Sequence, residues 1–310
     1  MHMREENILE YASVILLQMV KMFCLMLAGF FMTKTRVLKE SNSSVLARLL
    51  LYLILPAVII NSFITNAFEL HNLFDSLLLS ILAIGISMAM SFVILRKNHM
   101  AVFGSSFSNV GFIGVPLITA VTGNRYVMYI AGLIALINSA QWIYSKVFFA
   151  ENKLNHINEL LLNPMLISFL LGITLSIAPV KIPALVLDCV EMLSACNTPL
   201  AMIILGIYLG NCKLKNLFTD KSAYVVSFSR LVVIPLSTLL VYVLIPIRDS
   251  LIMLSILIAV STPVGSNIAV YAQKYNKDYS FAVSVTCLST MLSIVTVPFI
   301  VQLAKNLWGF

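Results

Sequence analysis

Ten apolar stretches separated by short polar connections make up most of the chain. They lie at roughly 8–32, 45–64, 74–95, 101–121, 126–149, 161–178, 189–210, 222–245, 251–273 and 279–304. Each approaches the ~20 residues a helix needs to cross hydrocarbon. In lipid only helices and closed barrels satisfy every backbone polar group. The stretches lack the two-residue alternation of a barrel strand. The pattern therefore predicts an all-α integral membrane protein with ten transmembrane helices. The most polar connections are 33–44, 150–159 and 211–221. Punctuation falls where spans should begin: Asn163-Pro164 reads as an N-cap followed by proline at the first helical position.

Composition agrees with the pattern. Of 310 residues, 60% are hydrophobic and only 11% carry charge, and the mean hydropathy is +0.98. A soluble domain is about 25% charged, so a soluble globule, a disordered chain and a disulfide-stapled module are all excluded. No length remains for a soluble domain of ordinary size. The start, Met1-His2-Met3-Arg4-Glu5-Glu6, does not resemble a signal peptide, and neither end carries a lipidation motif. Cys24, Cys189, Cys196, Cys212 and Cys287 show no CxxC and no His partners at metal spacing. They are expected to be small buried hydrophobes. His2, His71, His99 and His156 lie at ends or in loops. No metal or cofactor is expected, and no catalytic motif points to an enzyme.

The net charge of +7 does not mark a nucleic-acid partner, because the basic residues are scattered through short loops. They sort by topology instead. One set of loops holds 13: Lys34, Arg36, Lys39, Arg48, Arg96, Lys97, Lys146, Lys153, Lys213, Lys215, Lys221, Lys274 and Lys277. The opposite set holds 5: Arg4, Arg125, Lys181, Arg248 and Lys305. The richer set is expected in the cytoplasm, which puts a multi-pass chain in the cytoplasmic membrane with both termini outside. Lys21 and Arg230 alone fall well inside spans, away from their ends.

The fourth and ninth spans have broken interiors, Ser105–Pro116 and Ser261–Asn267, each combining Pro, Gly, Ser and Asn. Pro116 and Pro263 are 147 residues apart, and Pro56 and Pro199 are 143 apart. These offsets pair spans one to five with spans six to ten. Five is odd, so the halves, residues 1–160 and 161–310, would form inverted five-helix repeats. Paired interruptions in inverted halves mark a transporter's binding site. Proline opens the helix and glycine tolerates the result. The freed groups must then line a cavity or meet a ligand. The candidate substrate-binding set is Asn109, Gly111, Gly114, Pro116, Arg230, Ser261, Thr262, Pro263, Gly265, Ser266 and Asn267. Asn109 and Asn267 need partners, which a substrate carboxylate or an exposed helix end would supply. Arg230 stands about eight residues into its span, for anion binding or gating, or else for snorkelling or an ion pair. Lys21, with Gln18 one turn before it and Glu191 as a candidate partner, is an ion-coupling candidate. Asn138 and Gln141, beside Trp142, are others, with helix–helix hydrogen bonding as the alternative.

At these residues the chain resembles the auxin efflux carrier family of membrane transporters, which includes bacterial permeases for organic acids. The resemblance rests on Gly29 with the loop to Leu38, Leu51–Ala57 around Pro56, Asn109–Leu117, Asn163-Pro164 with Gly172, Pro199-Leu200 with Gly206, Arg230–Leu236, and Thr262–Asn267. It implies two inverted five-helix repeats with broken helices four and nine crossing near the midplane, as in bile-acid symporters and sodium–proton antiporters. Spans one, two, six and seven would form a scaffold. The other six would move as an elevator, in a candidate homodimer. The expected function is secondary active transport of small organic anions such as carboxylates, coupled to H+ or Na+ or uncoupled, in contact with membrane lipid. An ion or solute channel is the alternative. Residues 150–160 are too short for the long hydrophilic loop of plant members.

Overall fold

A computed structural model describes residues 2–67, 69–96, 98–150, 158–178, 181–212, 214–247 and 249–308. Side chains are described from residue 11 onward, except those of 158, 159 and 214–216. Lys97, Lys153, Lys213, Arg248 and His156 lie outside the described residues, as do the side chains of His2, Arg4 and Lys215.

The described chain is helical, with one isolated antiparallel bridge and no named strand. The helices are α1 (His2–Lys34), α2 (Glu40–Ile64), α3 (Leu70–Leu95), α4 (His99–Ser106), α5 (Val110–Val121) and α6 (Asn124–Phe148). They continue as α7 (Pro164–Ile177), α8 (Ala184–Asn211), α9 (Lys221–Tyr242), α10 (Ser250–Ser261), α11 (Asn267–Lys274) and α12 (Tyr279–Trp308). Seven are long and apolar enough to cross a membrane: α1 from Tyr11, α2, α3, α6, α8, α9 and α12. The shorter apolar helices α5, α7 and α10 lie in three more of the predicted apolar stretches. The protein is a multi-pass membrane protein. Its outward surface fits lipid: Leu17, Phe31, Leu78, Leu185, Leu244 and Val295 are all exposed.

Proline shapes several of these helices. In α2, α5 and α9 a π-helical turn precedes the proline: Leu50–Ile54 before Pro56, Val110–Gly114 before Pro116, and Ser229–Val233 before Pro235. Proline's ring would clash with the carbonyl four residues back. Widening the preceding turn by one residue relieves that clash, so the amides of Leu55, Val115 and Ile234 reach the carbonyls of Leu50, Val110 and Ser229. At α7 the expected cap forms. The Asn163 side chain accepts from the Met165 amide at 2.9 Å, and Pro164 is the first helical residue.

Two sets of helices pack most closely among themselves. α1 lies along α8, and α2 along α7 and α8. The remaining helices, α3 to α6 and α9 to α12, form the other set, with α12 and α5 touching α1 and α6 touching α7 across the division. The α1–α8 contact depends on the absence of side chains. A Cβ on Gly206 would strike the Met26 carbonyl and the Phe30 amide, and one on Gly29 would lie 2.5 Å from the Ile203 carbonyl. Backbone therefore packs on backbone, as small residues allow in membranes.

The cysteines depart from expectation. Cys287 is buried, but Cys24, Cys189 and Cys196 are exposed and Cys212 is intermediate. Apolar runs in a membrane protein have a lipid-facing side as well as a core side, so an apolar neighbourhood does not specify burial.

Gly206→Ala should lower the thermal unfolding midpoint of purified protein and cost about 1–3 kcal/mol, since no flexible atom can yield. Gly85→Ala, where nothing stands within 4 Å of the added carbon, should leave the midpoint unchanged or raise it. Equal midpoints for the two variants would show that the α1–α8 backbones do not touch.

Candidate functional site

Both segments expected to be broken are broken, and the two breaks meet. α4 ends at Ser106 and α5 begins at Val110; α10 ends at Ser261 and α11 begins at Asn267. Ser108 and Val264 form the isolated antiparallel bridge. The Asn109 amide donates to the Pro263 carbonyl and the Gly265 amide to the Phe107 carbonyl, both at 2.9 Å. The Val264 amide donates to Ser289 Oγ on α12 at 3.1 Å. The interrupted backbones thus satisfy each other as a two-residue sheet. Gly265 suits this approach, because a Cβ there would lie 3.2 Å from the Phe107 carbonyl oxygen.

The crossing has two electrically different sides. On one side the C-terminal ends of α4 and α10 converge, and Arg230 of α9 lies between them, wholly buried. Its Nη1 donates to the carbonyls of Ser105 at 2.9 Å and Ser106 at 3.1 Å, and its Nη2 donates to the carbonyl of Val260. A chain of hydroxyls adjoins it: Ser91 Oγ donates to Ser105 Oγ at 2.9 Å, and Ser105 Oγ lies 2.8 Å from Ser229 Oγ. Arg230 therefore neither snorkels nor forms an ion pair among the described residues. It caps two helix ends whose partial charge is negative.

On the other side lie the first turns of α5 and α11, where amides lack intrahelical acceptors and the partial charge is positive. These turns line a cavity of about 20 Å³ with Leu51, Leu55, Ser108, Asn109, Asn138, Gln141, Gly265, Ser266 and Asn267. Asn267 Nδ2 donates to Gln141 Oε1 at 2.8 Å and to Asn138 Oδ1 at 3.3 Å. Asn138 Nδ2 donates to the Ile134 carbonyl at 2.9 Å. Asn109 is buried, and its Nδ2 has no partner. Leu51, Asn138 and Asn267 also line a wide vestibule of about 950 Å³ whose wall includes Arg48, Tyr52, Trp142 and Lys274. A smaller pocket of about 320 Å³ opens beside α5, lined by Gln18, Pro116, Thr119, Asn124 and Asn197 among others. Between them, Asn197 of α8 donates through Nδ2 to the Gly111 carbonyl at 3.0 Å.

The sequence-derived candidates therefore divide. Asn109, Gly111, Gly265, Ser266, Asn267, Asn138 and Gln141 come together at the central cavity. Ser261 and Thr262 turn back to their own helix, donating to the carbonyls of Leu257 and Ala259 at 2.7 Å. Pro263 supplies the carbonyl that holds Asn109, Pro116 lines the smaller pocket, and Gly114 packs near Thr262 and Ala259. Lys21 and Glu191 are both exposed, and no ion pair joins them among the described residues. Sequence reasoning missed Asn197. Its only signal was an asparagine two residues before Pro199. Lys274 and Arg48 were read as topology labels, yet they also wall the vestibule.

A multi-pass helical membrane protein whose two broken helices cross over a polar cavity is the architecture of a solute transporter rather than of a receptor or anchor. A family profile described as membrane transport protein matches residues 14–301, and the chain belongs to that family, the auxin efflux carrier family its motifs resemble. It is also 25% identical over 290 residues to an uncharacterized transporter of Methanothermobacter thermautotrophicus, an alignment covering 88% of this chain and 93% of the relative.

Gln141→Leu keeps the approximate volume but removes the nearer acceptor of Asn267 Nδ2. The expected loss is about 1–3 kcal/mol, for a buried donor left with one long bond, read as a lowered unfolding midpoint. An unchanged midpoint would mean that the Asn267–Gln141 bond does not hold α11 to α6.

Proposed function

We propose that this protein is a secondary active carrier of small organic anions such as carboxylates, working by alternating access in the cell membrane. The observation that carries the reading is Asn109 Nδ2, a buried donor without a partner at a cavity formed by two helix N-termini. A buried unpaired donor costs roughly 1–3 kcal/mol, and an anionic acceptor would satisfy it. Asn109 and Asn267, with the amides around Gly111 and Ser266, form the substrate site in this proposal. Helix N-termini favour negative charge there.

The ten apolar stretches then count as ten spans. α4 with α5 is the fourth and α10 with α11 the ninth, giving two inverted repeats, 1–160 and 161–310. α1, α2, α7 and α8 serve as the scaffold, and the other helices carry the site past it. The separation of the packing into those two sets supports this division. The wide vestibule corresponds to the cytoplasmic entrance, because Arg48 and Lys274 belong to the loops richer in Lys and Arg. The central cavity of about 20 Å³ between the vestibule and the smaller pocket favours a carrier over a channel, which needs a continuous path. No enzymatic role is proposed.

Purified protein in liposomes should take up labelled dicarboxylate or monocarboxylate saturably, and Asn109→Ala or Asn267→Ala should abolish that flux while membrane insertion persists. Wild-type flux in both variants would remove these residues from the site. Absence of saturable carboxylate flux in folded protein would remove the substrate class.

A further inference from the structure

The C-terminal ends of two broken helices meet away from water, and unwound carbonyls of this kind are the oxygen ligands with which broken-helix transporters hold a coupling cation. Here three of them, from Ser105, Ser106 and Val260, already face the Arg230 guanidinium. No carboxylate pairs with Arg230 among the described residues; helix-end carbonyls meet its two Nη atoms, and its Nε is buried without a partner. Arginine stays charged and its planar fork fixes several donors at once.

We propose that Arg230 is a tethered cation that fills the place a coupling Na+ would otherwise occupy, so that the crossing binds no Na+ on this side. Two consequences follow from the geometry. The guanidinium joins α9 to both broken helices, so it travels with them and cannot dissociate between the two membrane faces. Its charge also stays at the crossing whether or not substrate is bound. With the helix N-termini on the opposite side, it keeps the site attractive to an anion without a co-bound cation. Arg230 is thus a positioning residue and not a substrate ligand. This inference rests on the carrier reading only for the word coupling. Its test measures ion binding and needs no flux.

The thermal unfolding midpoint of the purified full chain is measured in sodium, potassium and choline chloride at equal ionic strength. Ligands that bind the native state raise that midpoint. Wild type is expected to show the same midpoint in all three salts. Arg230→Ala should unfold several degrees lower in choline chloride and should recover part of the loss in sodium chloride or dilute guanidinium chloride, either of which can fill the vacated place. Arg230→Lys, which keeps the charge but not the fork, should fall between wild type and Arg230→Ala. A specific rise of the wild-type midpoint with Na+ overturns the proposal, as does Arg230→Ala with a wild-type midpoint or without any recovery in either salt. Should Arg230→Ala not fold, a lysine variant that folds and ignores Na+ supports the proposal, and one that gains stability from Na+ overturns it. If neither variant folds, the wild-type comparison decides. A Na+ response would sink this inference while leaving carboxylate transport standing; failed carboxylate flux would do the reverse.

Discussion

Two helices that lose their backbone bonding in the middle of an apolar bundle must be bonded to each other, and the rest of the structure depends on that constraint. In water an opened turn would be solvated. In lipid each free amide or carbonyl costs several kcal/mol. The mutual bonds of Asn109 with Pro263 and of Gly265 with Phe107 remove part of that cost, and Ser289 supplies a further acceptor from α12. Arg230 deals with the two carbonyl ends. After these arrangements buried groups are left over on both sides: Ser106 Oγ and Arg230 Nε beside the carbonyl ends, and Asn109 Nδ2 at the cavity lined by the first turns of α5 and α11. The polar cavity lies on the side where the breaks leave helix starts rather than helix ends.

The same chemistry appears in milder form along the unbroken helices. A proline in α2 or α9 removes one donor and crowds one carbonyl, and a π-helical turn absorbs the change. In α5 the turn before Pro116 begins at the break itself, with Asn109 as its N-cap. The Ile113 and Gly114 amides both reach the Asn109 carbonyl at 3.1 Å. A residue whose carbonyl starts the helix and whose amide joins the crossing is held rigidly at both ends. Its buried side chain thus stands on a fixed backbone in the wall of the cavity.

The helices and their breaks were legible in the sequence because apolar run length and proline positions are local signals. The apolar stretches became helices close to their expected ends, Asn163-Pro164 became a cap, and the two Pro/Gly/Ser/Asn clusters became the breaks. Asn109 and Asn267 were legible because they are the only side-chain amides within the two broken segments, 105–116 and 261–267. What remained hidden was direction. The apolar run of α1 does not say which face meets α8, so Lys21 could be read as buried although it is exposed. The cysteines failed for the same reason. Arg230 was found as an oddity, but its partners are carbonyls, and every residue has one, so no sequence pattern distinguishes the three it meets. Asn197 shares that blindness, since its partner is the Gly111 carbonyl.

Placing an arginine rather than an acid between the helix ends fixes the sign of the site. An acidic residue there would repel the carbonyl ends and would have to bind a cation or a proton to be stable. Arg230 needs neither, because the carbonyls themselves balance it. The crossing then presents a guanidinium held by carbonyls on one side and the N-terminal turns of α5 and α11, with their partial positive charge, on the other. A neutral solute gains little from such a field and a cation is opposed by it. An anion gains most, and it gains more as the cavity closes and water leaves, because the interaction strengthens as the local dielectric falls. In the proposed carrier, the repair of the broken backbone itself would favour anions, and Asn109 and Asn267 would choose among them by shape and hydrogen bonding.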